Sequence, residues 1–311
     1  IPVEIKKINN DYYLSKVEHD KFSPYDVDLD KGDKVLALGG KDIQQVIEEE
    51  SKFISASTLG MQNFFSALYL NSLAKFIRAP EENWVIKVQK YKTGEIKEVE
   101  LPYLIYTRKN KKDDELGDIV HSKILPGNIG LLTLSSMTYE SDDEFIKYIA
   151  NELEALKNTK ALIIDVRNNG GGSGDIGDSV IAHLINDKVK RYKAQLKNSQ
   201  QLLYARPEVV ERFEQLDVTK YQYSQWRDFL IEPVAEEKRY TKPVYILTNE
   251  HCFSACDTFV DSFSSNHLGE VLGSNTGGGT GYPLQVTLPW NYGKFRFSVL
   301  RGYSNHDRYL E

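Results

Sequence analysis

Two short stretches of the chain hold residue types suited to acyl transfer, and they come in a workable order. The first is Asp165-Val166-Arg167-Asn168-Asn169-Gly170-Gly171-Gly172, directly after the apolar run Ala161 to Ile164. The second is Phe253-Ser254-Ala255-Cys256-Asp257, shortly after the apolar run Val244 to Leu247. Each reads as strand, tight loop, then helix. Glycines without a Cβ let backbone N–H groups approach a carbonyl oxygen, and a serine at a helix start can attack its carbon. Both stretches also have blander uses. Ser254 can be a helix N-cap, and the glycine loop can be a plain connection or a phosphate cradle. No G-K-[ST] and no G-x-G-x-x-G follows, which weakens nucleotide binding.

The elements that must carry these loops fall into two regions. In residues 1–107, Val3 to Ile5 and Tyr12 to Leu14 read as short strands. Leu29 to Lys41 reads as turn, strand, turn, with Gly32 and then Gly39-Gly40 at the turns. Asp42 can cap a helix Ile43 to Glu50. Leu59 to Ile77 reads as a longer helix, and Trp84 to Tyr91 with Ile96 to Leu101 as a hairpin around Lys92-Thr93-Gly94-Glu95. Residues 108–126 are polar and charged and read as a linker. From 127 onward strands alternate with helices. Ile129 to Leu134 is a strand; Phe145, Ile146, Ile149, Leu153 and Leu156 share one helical face. Ala161 to Val166 is a continuous apolar run, as a sheet covered on both faces requires. Ile176 to Ile185 reads as helix, and residues 190–240, with a helix Pro207 to Leu216, as an insertion or lid. Strands are expected near Val271, over Leu284 to Leu288 and over Phe295 to Leu300.

A chain of 311 residues suits two domains. The net charge of −6 argues against a nucleic-acid partner. No stretch has the apolar length of a transmembrane helix, and no signal-peptide pattern is present. The chain begins at Ile1 and reads as a processed product. Two cysteines, Cys252 and Cys256, make neither a disulfide framework nor a zinc site. The reading favoured for them is a pair of buried reduced thiols, since a bridge would close a very short loop.

The motifs resemble those of the S41 serine peptidases, the C-terminal processing (tail-specific) proteases and the tricorn core relatives. Ala161 to Gly172 is similar to that family's strand followed by D-x-R-x-N-x-G-G. Thr248-Asn249 through Asp257 is similar to its nucleophile turn, and Gly273-Ser274-Asn275-Thr276-Gly277-Gly278 to its G-x-x-T-x-G segment. Leu29 to Lys41 resembles the signature of the PDZ-like domain that precedes the core in many members. The resemblance implies an α/β fold with a ClpP/crotonase-like core over 127–311, and a PDZ-like peptide-binding module over 1–107. It implies Ser254 as nucleophile, with an oxyanion hole from Ala255 and one of Gly171 or Gly172. Asp165 and Arg167 would brace the loop. Protein or peptide substrates are implied, near C-terminal tails, with no metal and no organic cofactor. An extracytoplasmic location is the family habit, although tricorn-like members are cytosolic.

The chain departs from the pattern at the base. The processing proteases carry a lysine after G-x-x-T-x-G, and Gly279 stands there instead. That places the chain closer to the branch without the lysine, where a histidine from upstream of the PDZ-like domain serves, with a glutamate near the chain's end. Glu311 is the candidate for that glutamate. His306, His121 and His251 are candidate bases, with Lys294 behind them; His251 is expected to face away across the turn. A serine without a base is a poor nucleophile, so a catalytically inactive peptide-binding scaffold is the alternative. An acyl-thioester enzyme of the crotonase kind ranks third, because it leaves Ser254 and the PDZ-like region unexplained.

Overall fold

The structure is a computed structural model. It describes residues 3–22, 25–77, 84–101, 115–205, 207, 223–291, 293–306 and 308–310. Two compact units divide the chain between Lys112 and Asp113.

The first unit is an antiparallel sheet of β1 (Val3–Ile8), β2 (Asp11–Val17), β3 (Lys34–Leu38), β5 (Trp84–Gln89) and β6 (Ile96–Leu101), in that order, with the short β4 (Lys41–Asp42) on β3. Helices α1 (Ile43–Ser51) and α2 (Leu59–Ile77) pack with it. Alternation in the strands buries Val3, Ile5, Tyr12, Leu14, Val35, Ile86 and Val88 in one cluster with Ile43, Ile47 and Leu70. The cap on α1 forms as the sequence requires: the Asp42 carboxylate accepts from Gln44 N at 2.8 Å. The turn into β3 is pinned by Asp33, which is fully buried. Its carboxylate accepts from Asp30 N and Tyr91 N, at 2.8 and 3.0 Å, and pairs with Lys90 Nζ at 2.9 Å. Gly32, at φ +99°, lies against the Tyr91 ring, where a side chain would be both strained and crowded.

The second unit is built on a five-stranded sheet of order β13-β12-β9-β8-β7. Strands β8 (Ile129–Leu134), β9 (Ala161–Asp165), β12 (Val244–Thr248) and β13 (Glu270–Gly273) run parallel; β7 (Val120–Leu125) is antiparallel at the edge. After the single-turn α3 (Leu116–Ile119) come α4 (Asp142–Leu156), α5 (Gly174–Ala182) and, past Ser254, α7 (Ala255–Ser265). Their apolar faces share one core with Leu132, Leu134, Leu162, Ile164, Val244 and Ile246. A second sheet joins β11 (Arg227–Ile231), β10 (Val189–Leu196) and β16 (Leu300–Tyr303); α6 (Gln200–Ala205) follows β10. Strands β14 (Pro283–Thr287) and β15 (Lys294–Ser298) form a separate hairpin.

Four expectations are corrected. Residues 116–125 are not linker but α3 and β7; the alternation Val120, Ser122, Ile124 against Lys123 and Leu125 is too weak to announce a strand, and pairing with β8 makes it one. Burial in β9 alternates, so the apolar run is fully covered on one face and half-covered on the other. Helix α5 starts at Gly174, earlier than Ile176, directly from the glycine loop. Residues 190–240 are not simply an insertion, because β10 is the middle strand of a sheet and pairs with β16 from the end of the chain. The expected helix over 207–216, apart from its first residue, and Glu311 lie outside the described residues.

Candidate active site

Between β12 and α7 the backbone passes through Ser254 at φ 59° and ψ −117°. A non-glycine residue there costs about 1–3 kcal/mol and persists only where its surroundings over-determine it. They do so here. Phe253 N donates to Asn169 O at 3.0 Å, and Ser254 N to Gly278 O at 2.8 Å. Thr258 donates to Ser254 O from both N and Oγ1, each at 3.0 Å. Cys252 and Cys256 are joined by a disulfide that spans the turn. This overturns the reduced-thiol reading. One cysteine before the turn and one in the first helical turn bring the Cα atoms to 5.2 Å, well inside the range a bridge needs. The Ser254 hydroxyl makes no capping bond to α7, so the N-cap use of this serine is excluded.

The glycine loop is organised by Asn169, which is fully buried. Its Nδ2 donates to Leu134 O at 2.9 Å, its Oδ1 accepts from Gly171 N at 2.9 Å, and its backbone carbonyl holds Phe253 N. Asn169, through its neutral side-chain amide and its backbone carbonyl, therefore ties β8, the glycine loop and the Ser254 turn together. Asn168, at φ +67°, exchanges two hydrogen bonds with Asn249, of 2.8 and 2.9 Å, and so zips the loops after β9 and β12. Arg167 closes a two-pronged pair with Asp165, at 2.8 and 2.6 Å, which is the bracing role expected of them. Burial works against the Asp165 charge, but the Arg167 bonds outweigh it and hold its pKa below the ordinary value.

Gly171 and Gly172 are glycines for steric reasons. A Cβ on Gly171 would lie 2.5 Å from Phe253 O and 3.0 Å from both Ala255 N and Ser254 Cβ. One on Gly172 would lie 2.1 Å from Met137 O, because Met137 N donates to Gly171 O and Ser173 N donates back to Met137 O. The Gly171 N–H is committed to Asn169. Among the described residues, no hydrogen bond takes up the N–H of Gly172 or of Ala255.

Gly279 explains the missing lysine. It sits at φ +79°, and a Cβ there would fall 1.9 Å from the Phe253 ring. The aromatic ring just before Ser254 fills the space a side chain would need, so a lysine at this place would have to displace the Phe253 ring and adopt a left-handed backbone.

Below the serine, Asp257 is buried on α7 and its pKa is pushed up to about 6. Burial is the main cause and Asp261 adds to it, while hydrogen bonds from Thr276 and Gly278 N and the charge of Arg308 oppose. Asp257 thus ties the Thr276–Gly278 segment to the helix that starts at the serine. Asp261, one turn further, accepts from Ser304 Oγ at 2.7 and 2.8 Å, and burial raises its pKa too.

The candidate bases separate. His251 does not simply face away: its Nε2 lies 3.7 Å from where a Cβ of Gly170 would be, so the ring borders the glycine loop. His306 lies close enough to Asp261 to oppose the rise that burial imposes on that carboxyl, and His306 N donates to Ser304 Oγ at 3.1 Å. His121 is exposed on β7 opposite Thr133. Lys294 is exposed on β15 opposite Thr287. Sequence reasoning had not assigned Asn169, Met137, Phe253 or Thr258 a role; Asn169 and Phe253 were within the quoted motifs, whereas Met137 and Thr258 carry no local signal.

Comparison with known proteins agrees with this geometry. Residues 128–311 match the profile of peptidase family S41, and residues 1–109 that of the PDZ domain. No curated protein sequence matches the chain. Among solved structures, mature CPAF complexed with lactacystin is similar over 100% of this chain and 76% of its own, at 16% identity and a TM-score of 0.75. Mature CPAF alone is similar over 100% and 75%, at 16% identity and a TM-score of 0.72. These likenesses bear on the fold; the profile covers well over half the chain and shows the family, and the inactive-scaffold alternative draws no support from it. The chain belongs to peptidase family S41 and is a serine-type peptidase with a PDZ domain ahead of its core.

Proposed function

We propose that Ser254 is the nucleophile and that the chain hydrolyses peptide bonds of protein or peptide substrates near their C-terminal tails. The observation that carries this is the Ser254 hydroxyl at a positive φ with no capping bond, followed by the unclaimed Ala255 N–H and packed against Gly171 of the glycine loop, whose next N–H, of Gly172, is also unclaimed. Ser254 Oγ attacks the scissile carbonyl carbon and gives its proton to a base. The oxyanion is received by Ala255 N–H and Gly172 N–H. The C–N bond then breaks, the amine leaves with the proton, and water releases the acyl group. Gly171 is the weaker of the two loop donors, since Asn169 already holds its N–H. His251 is the base favoured within this chain, by its place on the glycine loop. The PDZ domain would take an extended tail by strand addition. The Cys252–Cys256 bridge supports an oxidising, extracytoplasmic setting.

A fluorophosphonate probe tests this. Labelling that maps to Ser254 and is lost in Ser254→Ala is expected, with hydrolysis falling by roughly 10³-fold or more at unchanged Tm. Labelling of His251→Gln at the parent rate would remove His251 as base. Residual hydrolysis in Ser254→Ala above the background would sink the nucleophile assignment.

A further inference from the structure

Hairpin β14–β15 leaves the segment Gly278–Gly281, whose first carbonyl holds Ser254 N, and returns at Gly281 O, which accepts from Val299 N and Leu300 N. Its register pairs Leu284 with Phe297 and Val286 with Phe295 on one face, and Gln285 with Arg296 and Thr287 with Lys294 on the other. The apolar face is anchored at its root, where Leu284 is buried with Leu196, Leu202 and Val299. Toward the tip it opens: Phe297 is 38%, Val286 43% and Phe295 59% exposed. A two-stranded ribbon with such a face is marginal alone, and among the described residues both of its edges are unpaired.

Charge says what covers it. None of the chain's 45 Asp and Glu lies between Val271 and His306, while Lys294, Arg296 and Arg301 do. In a protein of net charge −6, this is a cationic and apolar arm. Self-pairing of β15 in an antiparallel dimer centred on Arg296 would set Arg296 against its own copy, which is unfavourable. A strand with acids on one face and apolar side chains on the other complements it on both.

We propose that β15 receives the substrate polypeptide itself as an added strand, and selects stretches in which acidic and apolar residues alternate. Apolar side chains of the substrate lie beside Phe295 and Phe297, and its carboxylates beside Lys294 and Arg296. The selection acts next to the nucleophile turn and rests on the reading of Ser254 as a peptidase nucleophile.

The test uses the full chain carrying Ser254→Ala and fluorescent short peptides with a central Glu-Phe-Glu-Val, Lys-Phe-Lys-Val or Glu-Ser-Glu-Ser, followed by anisotropy. The acidic-apolar peptide should bind about tenfold or more tighter than the other two. Lys294→Glu with Arg296→Glu should reverse the preference toward the basic peptide, because a selective contact is a difference of affinities. Phe295→Ser with Phe297→Ser should erase the Phe-over-Ser preference. Peptide preferences unchanged by both double variants would overturn the proposal. So would a parent dimer in sedimentation that Phe295→Ser with Phe297→Ser dissociates while peptide binding holds, since a second copy would then own the face. Fluorophosphonate labelling of the parent chain with Ser254 intact reads the nucleophile on its own. Absent labelling there would fail the nucleophile reading, and the binding arm is judged separately.

Discussion

Asp33 in the PDZ domain and Asn169 in the peptidase core hold their loops with the same topology and opposite electrostatics. Both are fully buried, and both accept from backbone N–H groups across a tight glycine turn. Asp33 is charged and answered by Lys90, whose ammonium also touches Asp28 at 3.0 Å and Asp30 at 3.1 Å. Burial opposes that ammonium, but the hydrogen bonds it donates to Asp33, Asp28 and Asp30 outweigh it and raise its pKa. Asn169 needs no counter-ion and also donates, to Leu134 O. The difference fits the location. A binding domain tolerates a fixed ion cluster at its turn, whereas under the proposed function the glycine loop stabilises a developing oxyanion and is served by a neutral hub, because a buried carboxylate there would raise the cost of that charge.

The largest effect expected from breaking this contrast is at Lys90. Lys90→Met leaves Asp33 buried without its counter-charge and should cost about 3–5 kcal/mol of stability. Calorimetry should show the loss while fluorophosphonate labelling of Ser254 at low temperature persists; an unchanged transition would mean the backbone donors alone hold Asp33. Asn169→Asp should lower hydrolysis by roughly 10²–10³-fold, comparable to losing an oxyanion donor. Activity near the parent level would show that the site is indifferent to a charge at its hub.

A titration sharpens the same contrast. Asp257 and Asp178 both have folded pKa values pushed to about 6, first by burial. For Asp178, Arg191 opposes the shift and Asp175 adds to it. A carboxyl whose folded pKa is raised binds its proton in the native state first. Its contribution is fully present below the unfolded value of 3.8 and is lost as pH rises through about 6. Denaturant unfolding should therefore show this part of stability falling between pH 4 and 6, by at most about 3 kcal/mol per group. Asp257→Asn should flatten the slope, and a slope of the same size in that variant would remove Asp257 from the account. The smallest effect is expected from the bridge. Cys252→Ser with Cys256→Ser should cost about 2 kcal/mol, as a short closed loop implies, and slow Ser254 labelling several-fold. Equal labelling rates would show that the hydrogen bonds to Ser254 hold the turn unaided.

Local chemistry was legible in the sequence wherever one element decides it. Asp42 capping α1, the Gly94 turn between β5 and β6, the helical face of α4 and the strand–loop–helix order around Asn169 and Ser254 all follow from spacing and turn residues. What was missed depends on partners far apart in the chain. β7 becomes a strand only beside β8, and β10 finds β16 more than a hundred residues away.

The sequence by itself determined the order of the motifs, the elements that carry them, the glycines at their turns and the absence of a lysine at position 279. Those are local properties, set by periodicity and backbone sterics. Tertiary structure alone decided that Asn169 joins three segments, that the Phe253 ring fills the space beside Gly279, that Cys252 and Cys256 meet across the Ser254 turn, and that the Ser254 hydroxyl makes no capping bond. Each depends on where side chains from separate loops come to rest when the core closes, and the spacing of residues along the chain does not encode that.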